Sequence, residues 1–168
     1  MILFVVIKWQ NTMEKLMDNY QIDSLDRRII EELQKDARKP FLEIARKCQV
    51  AGGTIHQRIE KLRERGIITG SKITVDHKRL GYGVEVLLGV HLVNAKVVSK
   101  VVKKLEKFPE VVQSLYTTGN YALFVKVVTK DIDHFHNFLV KKLQAIEEIR
   151  STESFICLET PIDRELQV

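Results

Sequence analysis

Cysteine is scarce. The chain of 168 residues holds two, Cys48 and Cys157, far apart and with no motif around either. That argues against a disulfide-stapled secreted domain and for two plain thiols in a reducing compartment, so a cytoplasmic location is expected. A long apolar run is also missing. MILFVVIKW at the N-terminus is too short to span a bilayer, no positive charge precedes it, and no small-residue cleavage site follows. No membrane partner is therefore expected, and residues 1–16 read as a dispensable extension, from an upstream start codon in place of Met13 or Met17. Catalytic signatures are lacking too: there is no G-x-S-x-G, P-loop or H-E-x-x-H pattern. His134 and His136 lie two apart on a helical pattern and point to different faces, so they cannot chelate one metal together. His91 and Cys157 have no ligand spacing around them. No catalytic residue, metal site or cofactor is expected, and the chain does not read as an enzyme.

What is present is an uneven charge. The net +5 sits entirely in residues 21–80, with 14 Lys/Arg against 9 Asp/Glu, whereas residues 81–168 carry 11 of each. A basic segment beside a neutral one suggests a polyanion partner for the first and a different task for the second.

Residues 24–66 read as three short helices. In SLDRRIIEELQK, Leu25, Ile29, Ile30 and Leu33 share one face, with Ser24 as the expected cap and Asp26 near the positive end of the helix dipole. Pro40 can open the second helix, PFLEIARK, with Phe41, Ile44 and Ala45 inward. After CQVAGG comes a third helix, closed by Gly66. Two helices joined by a tight turn behind a packing helix make a helix-turn-helix. IITGSKITVD then alternates as a strand or a two-stranded wing would, and RLGYG marks a boundary.

The second half has another texture. VEVLLGVHLV, VVQSLYTT, YALFVKVVT and STESFICLE read as strands. A helix capped by Asn94 and one capped by Asp131 lie between them, the second with Ile132, Phe135, Phe138, Leu139, Leu143 and Ile146 inside. Gly119-Asn120 reads as a two-residue hairpin turn. The order β-α-β-β-α-β is that of a ferredoxin-like sandwich, with both helices on one face of an antiparallel sheet. Its bare face needs a cover, and a second copy of the chain is the usual one. The fold expected is therefore a two-domain α+β chain, with a winged helix-turn-helix before a ferredoxin-like domain. The boundaries are 1–16, 17–66, 67–83 (wing and linker strand) and 84–168.

At about 100° per residue, Ile55, Ile59 and Leu62 form the inner stripe of the third helix. Thr54, Gln57, Arg58, Lys61 and Arg65 gather on a second face, apart from Glu60 and Glu64. A merely solvated helix more often mixes its signs in i, i+4 pairs. A recognition helix needs short polar side chains near its start to reach base edges and cations beyond to hold phosphates. The helix start leaves two readings open. Either Thr54 caps it, in a box with Gln57, or it begins near Ala51 without a side-chain cap, and Gly52 and Gly53 let its amides approach a phosphate.

IDSLDRRIIEELQKDARKPFLEIARKCQVAGGTIHQRIEKLRERGIITGSKITVDHKRLGYG, together with YTTGNYALFVKVV and IEEIRSTESFICLETP, resembles the Lrp/AsnC (feast/famine) transcription regulators, and its asparagine-responsive branch in particular. The resemblance implies a sequence-specific regulator of double-stranded DNA whose assembly and DNA affinity respond to a small amino acid, asparagine favoured. It implies a homodimer that builds a higher oligomer, an octamer in many relatives. DNA contacts are expected at Gly53, Thr54, Gln57, Arg58, Lys61 and Arg65. It places the effector at Tyr116, Thr117, Thr118, Gly119, Asn120, Tyr121, Arg150, Ser151 and Thr152. Here Ala51-Gly52 stands where the family usually has Ser-Pro, and the family register sets Thr54 and Gln57 inside the helix. The rival reading is an amino-acid-binding oligomer whose helix-turn-helix is weakened at that point.

Overall fold

The computed structural model describes residues 20–166; the expected extension 1–16 and Met17 lie outside the described residues. The described chain divides between residues 73 and 74 into two compact units, with residues 164–166 grouped with the first.

The first unit holds α1 (Ser24–Lys35), α2 (Phe41–Cys48) and α3 (Gly52–Glu64). Ile29, Ile44, Ala45, Cys48, Ile55, Ile59 and Leu62 form its core, with Leu25, Ile30, Leu33 and Phe41 packed at the margin. Asp23, not Ser24, caps α1: its carboxylate accepts from the Asp26 amide, and the Asp26 carboxylate accepts from the Asp23 amide. Aspartate caps as well as serine, so local preference could not choose between the two. Gln49 ends α2 in the left-handed region, at φ 58°. At the end of α3, Gly66 takes φ 67°. Its amide bonds Arg63 O and that of Ile67 bonds Leu62 O, each at 2.9 Å. This paired closure needs a left-handed residue, which glycine adopts without a Cβ clash.

Among the described residues no strand forms over 67–83, where a wing and linker strand were expected. The alternation of IITGSKITV is real, but a strand needs a partner for its amides and carbonyls, and no segment of the described chain supplies one.

The second unit is β1 (Val84–Leu92), a 3₁₀ turn (Ala95–Val97), α4 (Val98–Leu105), β2 (Val111–Tyr116), β3 (Leu123–Thr129), α5 (Ile132–Phe138), a π turn (Leu139–Leu143) and β4 (Ile149–Ile156). The sheet order is β2-β3-β1-β4, antiparallel throughout, which is the ferredoxin-like arrangement. Val86, Leu88, Val90, Leu123, Val125 and Val127 meet Val101, Leu105, Phe135, Phe138, Leu143 and Ile146 in one core. Asn94 and Asp131 cap as expected. The second helix, however, widens into the π turn after Phe138, and Ile132 stays half exposed at 50%.

The two-residue hairpin turn does not form. Thr117 N bonds Ala122 O at 3.0 Å, and Thr117 Oγ1 donates to Tyr121 O at 2.6 Å, which closes a wider loop. Neither Gly119 nor Asn120 has the positive φ that such a turn demands. The cause is Tyr121, which serves as a packing residue on the sheet instead of the first residue of the next strand.

Candidate nucleic-acid interface and effector site

The start of α3 settles the question its two glycines raise. Ala51 is the cap residue, extended at φ −69° and ψ 147°, with no side-chain cap bond and no acidic residue in the first turn. Thr54 lies inside the helix, and its amide bonds Ala51 O at 3.0 Å, so the Thr54–Gln57 box is not used. Gly52 packs against α2: a Cβ there would lie 2.9 Å from Leu42 Cδ2. At Gly53 a Cβ would meet nothing within 4 Å, and the residue is exposed.

Of the remaining predicted DNA contacts, Gln57, Lys61 and Arg65 are exposed and Thr54 is half-buried. The Lys61 ammonium sits 4.5 Å above the Tyr20 ring. Arg58 behaves differently. Its Nη1 donates to Asp23 Oδ2 at 2.6 Å and to Asp26 Oδ1 at 3.2 Å. The bond to Asp23 holds the guanidinium even further above neutral pH than usual. The Asp26 amide, followed by Arg58, keeps the Asp23 carboxyl below the ordinary range. Burial and then the bond to Asp26 push the Tyr20 hydroxyl up. Helical-wheel reasoning missed Tyr20, Asp23 and Asp26, because it counts only residues on one helix. The available signal was Asp26 itself, an acid on the apolar side of α1.

Among the predicted effector residues, Tyr116 ends β2, Thr117–Tyr121 form the loop, and Arg150–Thr152 begin β4. β1 separates β3 from β4, yet the loop reaches across it. Ala122 N bonds Val90 O at 2.9 Å, and the Tyr121 hydroxyl donates to Glu153 Oε2 at 2.7 Å. That bond raises the Tyr121 pKa. The Tyr121 ring lies over Gly89, where a Cβ would come within 2.6 Å of it. Ring centroids of His91, Phe124 and Phe155 stand 4.9, 5.1 and 6.3 Å away. Gly89 and Glu153, whose roles no short motif betrays, are what hold the loop to the sheet. Just before β4, Glu148 accepts from Lys100 and Lys104 of α4 at 2.5 and 2.6 Å. A cleft of about 240 Å³ at the opposite end of the sheet is lined by His77, Tyr82, Cys157 and Glu159 among others, and by none of the predicted residues.

Residues 22–63 match the AsnC-type helix-turn-helix domain, and residues 85–167 match the Lrp/AsnC ligand binding domain. The chain is 49% identical to Regulatory protein AsnC of Haemophilus influenzae over 148 residues, which is 88% of this chain and 99% of that one. The chain belongs to the Lrp/AsnC family. Regulatory protein AsnC of Escherichia coli K12 is 45% identical, over 90% of this chain and 99% of its own length. The solved structure of E. coli AsnC superposes with a TM-score of 0.84 at 44% identity, covering 89% of this chain and all of that one. As an Lrp/AsnC protein, the chain is a helix-turn-helix, DNA-binding transcription regulator with a ligand-binding domain, not an enzyme. No helix among the described residues is long and apolar enough to cross a membrane.

Proposed function

We propose that this regulator reads operator DNA with α3 and takes asparagine, or a close acidic or amide relative, at the loop of Tyr116–Tyr121 and the start of β4. Gly53 lets the amides of the helix start approach a phosphate, Thr54 and Gln57 approach the bases, and Lys61 and Arg65 hold phosphates. The observation that carries the DNA half is the outer face of α3, where Gln57, Lys61 and Arg65 are all exposed while Glu60 pairs with Arg63 at 2.8 Å, away from them.

The effector half is supported by the chemistry of Thr117–Tyr121 and Arg150–Thr152. A zwitterion needs N–H donors for its carboxylate and hydroxyl or carbonyl acceptors for its ammonium, and Gly119 offers open backbone. Arg150 is exposed, and its planar fork suits a second carboxylate or a side-chain amide oxygen. A Neisseria meningitidis regulator solved as an L-Met complex shares the fold, with a TM-score of 0.81 at 17% identity. A second copy covers the bare sheet face, where Leu115 and Phe155 are 49% and 45% exposed, and dimers assemble further, to an octamer in the fullest form. The protein works in the cytoplasm.

Titration calorimetry with Asn, Asp, Gln and Leu tests the effector. Binding of leucine alone refutes the Arg150 assignment. Light scattering with and without asparagine, followed by gel shifts on the protein's own upstream DNA, tests the coupling. Assembly that responds to asparagine without any DNA shift would favour a ligand-binding oligomer over an operator-binding regulator.

A further inference from the structure

Arg58 sits among the cations of α3, yet the folded domain gives it acidic partners. Its Nη1 lies 2.6 Å from Asp23 Oδ2, and 3.2 and 3.3 Å from the two oxygens of Asp26. Asp26 is fully buried. A buried carboxylate persists only when its charge is compensated and its lone pairs are met. The Tyr20 hydroxyl at 2.6 Å and the Asp23 amide at 3.3 Å supply further bonds. The same carboxylate closes the capping box of α1. One buried group thus ties the first turn of α1 to the middle of α3. A guanidinium whose charge two carboxylates already match adds little to phosphate binding, which draws its affinity from the counterions that DNA releases when an uncompensated cation neutralises a phosphate.

We propose that Arg58 is a positioning residue for DNA recognition. Held by Asp23 and Asp26, it fixes the rotation of α3 so that Thr54 and Gln57 meet base edges, and it grips no phosphate itself. The proposal rests on α3 being the helix that meets DNA. The lever is large enough. With side chains reaching about 6 Å from the axis, a 20° roll of α3 moves their tips by about 2 Å, more than a base-edge hydrogen bond tolerates.

The test uses the full chain with two DNA probes: a duplex that the wild-type chain selects from a random library, and poly(dI–dC). Affinities are measured across a salt series for wild type, Lys61→Ala and Arg58→Gln. Lys61→Ala is expected to weaken binding to both probes and to lower the salt slope by about 1, as the loss of one phosphate contact does. Arg58→Gln is expected to weaken binding to the selected duplex by about tenfold or more. Its affinity for poly(dI–dC) and both its slopes should stay at wild-type values. A slope lowered by about 1 on both probes would make Arg58 a phosphate contact and overturn the proposal. Equal losses on both probes at unchanged slope would leave it a stabilising role only, and overturn it too. Should Arg58→Gln fail to fold by circular dichroism, Asp23→Asn carries the test, because asparagine keeps the cap while removing one arm of the ion pair. A few-fold loss confined to the selected duplex supports positioning; unchanged affinity for the selected duplex, or equal losses on both probes, refutes it. A wild-type chain that enriches no duplex would refute the recognition reading of α3 itself, an outcome distinct from all of these.

Discussion

Ala51→Ser should stabilise this protein, by an amount that follows from the backbone. Ala51 already has the extended cap conformation, at φ −69° and ψ 147°. Gly53 and Thr54 occupy the second and third helical positions, whose amides a cap hydroxyl accepts from. Nothing needs to move for a serine Oγ to reach them. Cap removal in the opposite direction costs typically ~1 kcal/mol within a range of about 0.5–2 kcal/mol, so the same gain is expected here. For a small domain, 1 kcal/mol corresponds to a shift of about 4–8 °C in the unfolding midpoint. Scanning calorimetry that resolves the helix-turn-helix transition in the full chain is the assay.

The control is Thr54→Ala. If α3 began at Thr54, that change would delete the cap at a cost of ~1 kcal/mol and Ala51→Ser would gain nothing. With α3 beginning at Gly52, Thr54 is an ordinary helical residue. Its replacement by alanine, the better helix former, should be worth no more than about 0.5 kcal/mol either way. A midpoint that falls steeply for Thr54→Ala and stays put for Ala51→Ser refutes the assigned helix start.

Further expectations follow from single contacts. Hydrogen bonds from Lys39 and Lys47 hold Glu32 at about 2, and those from Lys100 and Lys104 hold Glu148 at about 2, against an ordinary 4.5. Both pKa values are depressed by folding, so their contribution is fully present above pH 4.5 and is lost as pH falls through about 2. Midpoints measured from pH 6 to pH 2 should drop in that window, and Glu32→Gln or Glu148→Gln should each flatten the drop; parallel curves would refute the linkage. Gly66→Ala places a Cβ at φ 67° and should destabilise the first unit by about 1–2 kcal/mol in urea titrations; no change would mean that the α3 closure is unimportant. Gly89→Ala drives a Cβ into the Tyr121 ring at 2.6 Å and should cost about 1–3 kcal/mol. That cost should largely disappear in a Tyr121→Ala background, and an undiminished cost would show that the ring is not the obstacle.

Features set by local periodicity were legible before any coordinates. The inner stripe of α3, Ile55, Ile59 and Leu62, is buried to 1% exposure or less. The order β-α-β-β-α-β and the caps at Asn94 and Asp131 are likewise matters of spacing and short-range hydrogen bonding. Errors arose where two local signals tied or where a distant residue decided. Asp23 and Ser24 are both good caps, and only the reciprocal bond with Asp26 selects Asp23. Gly119-Asn120 is a sound turn signal, but the loop widened because Tyr121 is held across β1 by Glu153. The alternation of residues 67–75 is a sound strand signal without a ladder partner in the described chain.

Arg58 shows why the candidate interface was less legible than the fold. A helical wheel places Arg58 beside Gln57, Lys61 and Arg65, and one helix alone contains nothing to set it apart. Its role is fixed by Asp23 and Asp26, which belong to another helix and lie more than thirty residues earlier. Charge on a wheel measures what a face could attract; packing decides which of those charges are still available. The clue was present in α1, where Asp26 falls at a position that burial would forbid to an unpaired acid. An acid on an apolar face predicts a cation from elsewhere in the domain. Once that demand is met by Arg58, the charge of the same arginine is already matched within the domain, and a salt series that compares Arg58→Gln with Lys61→Ala reads the difference.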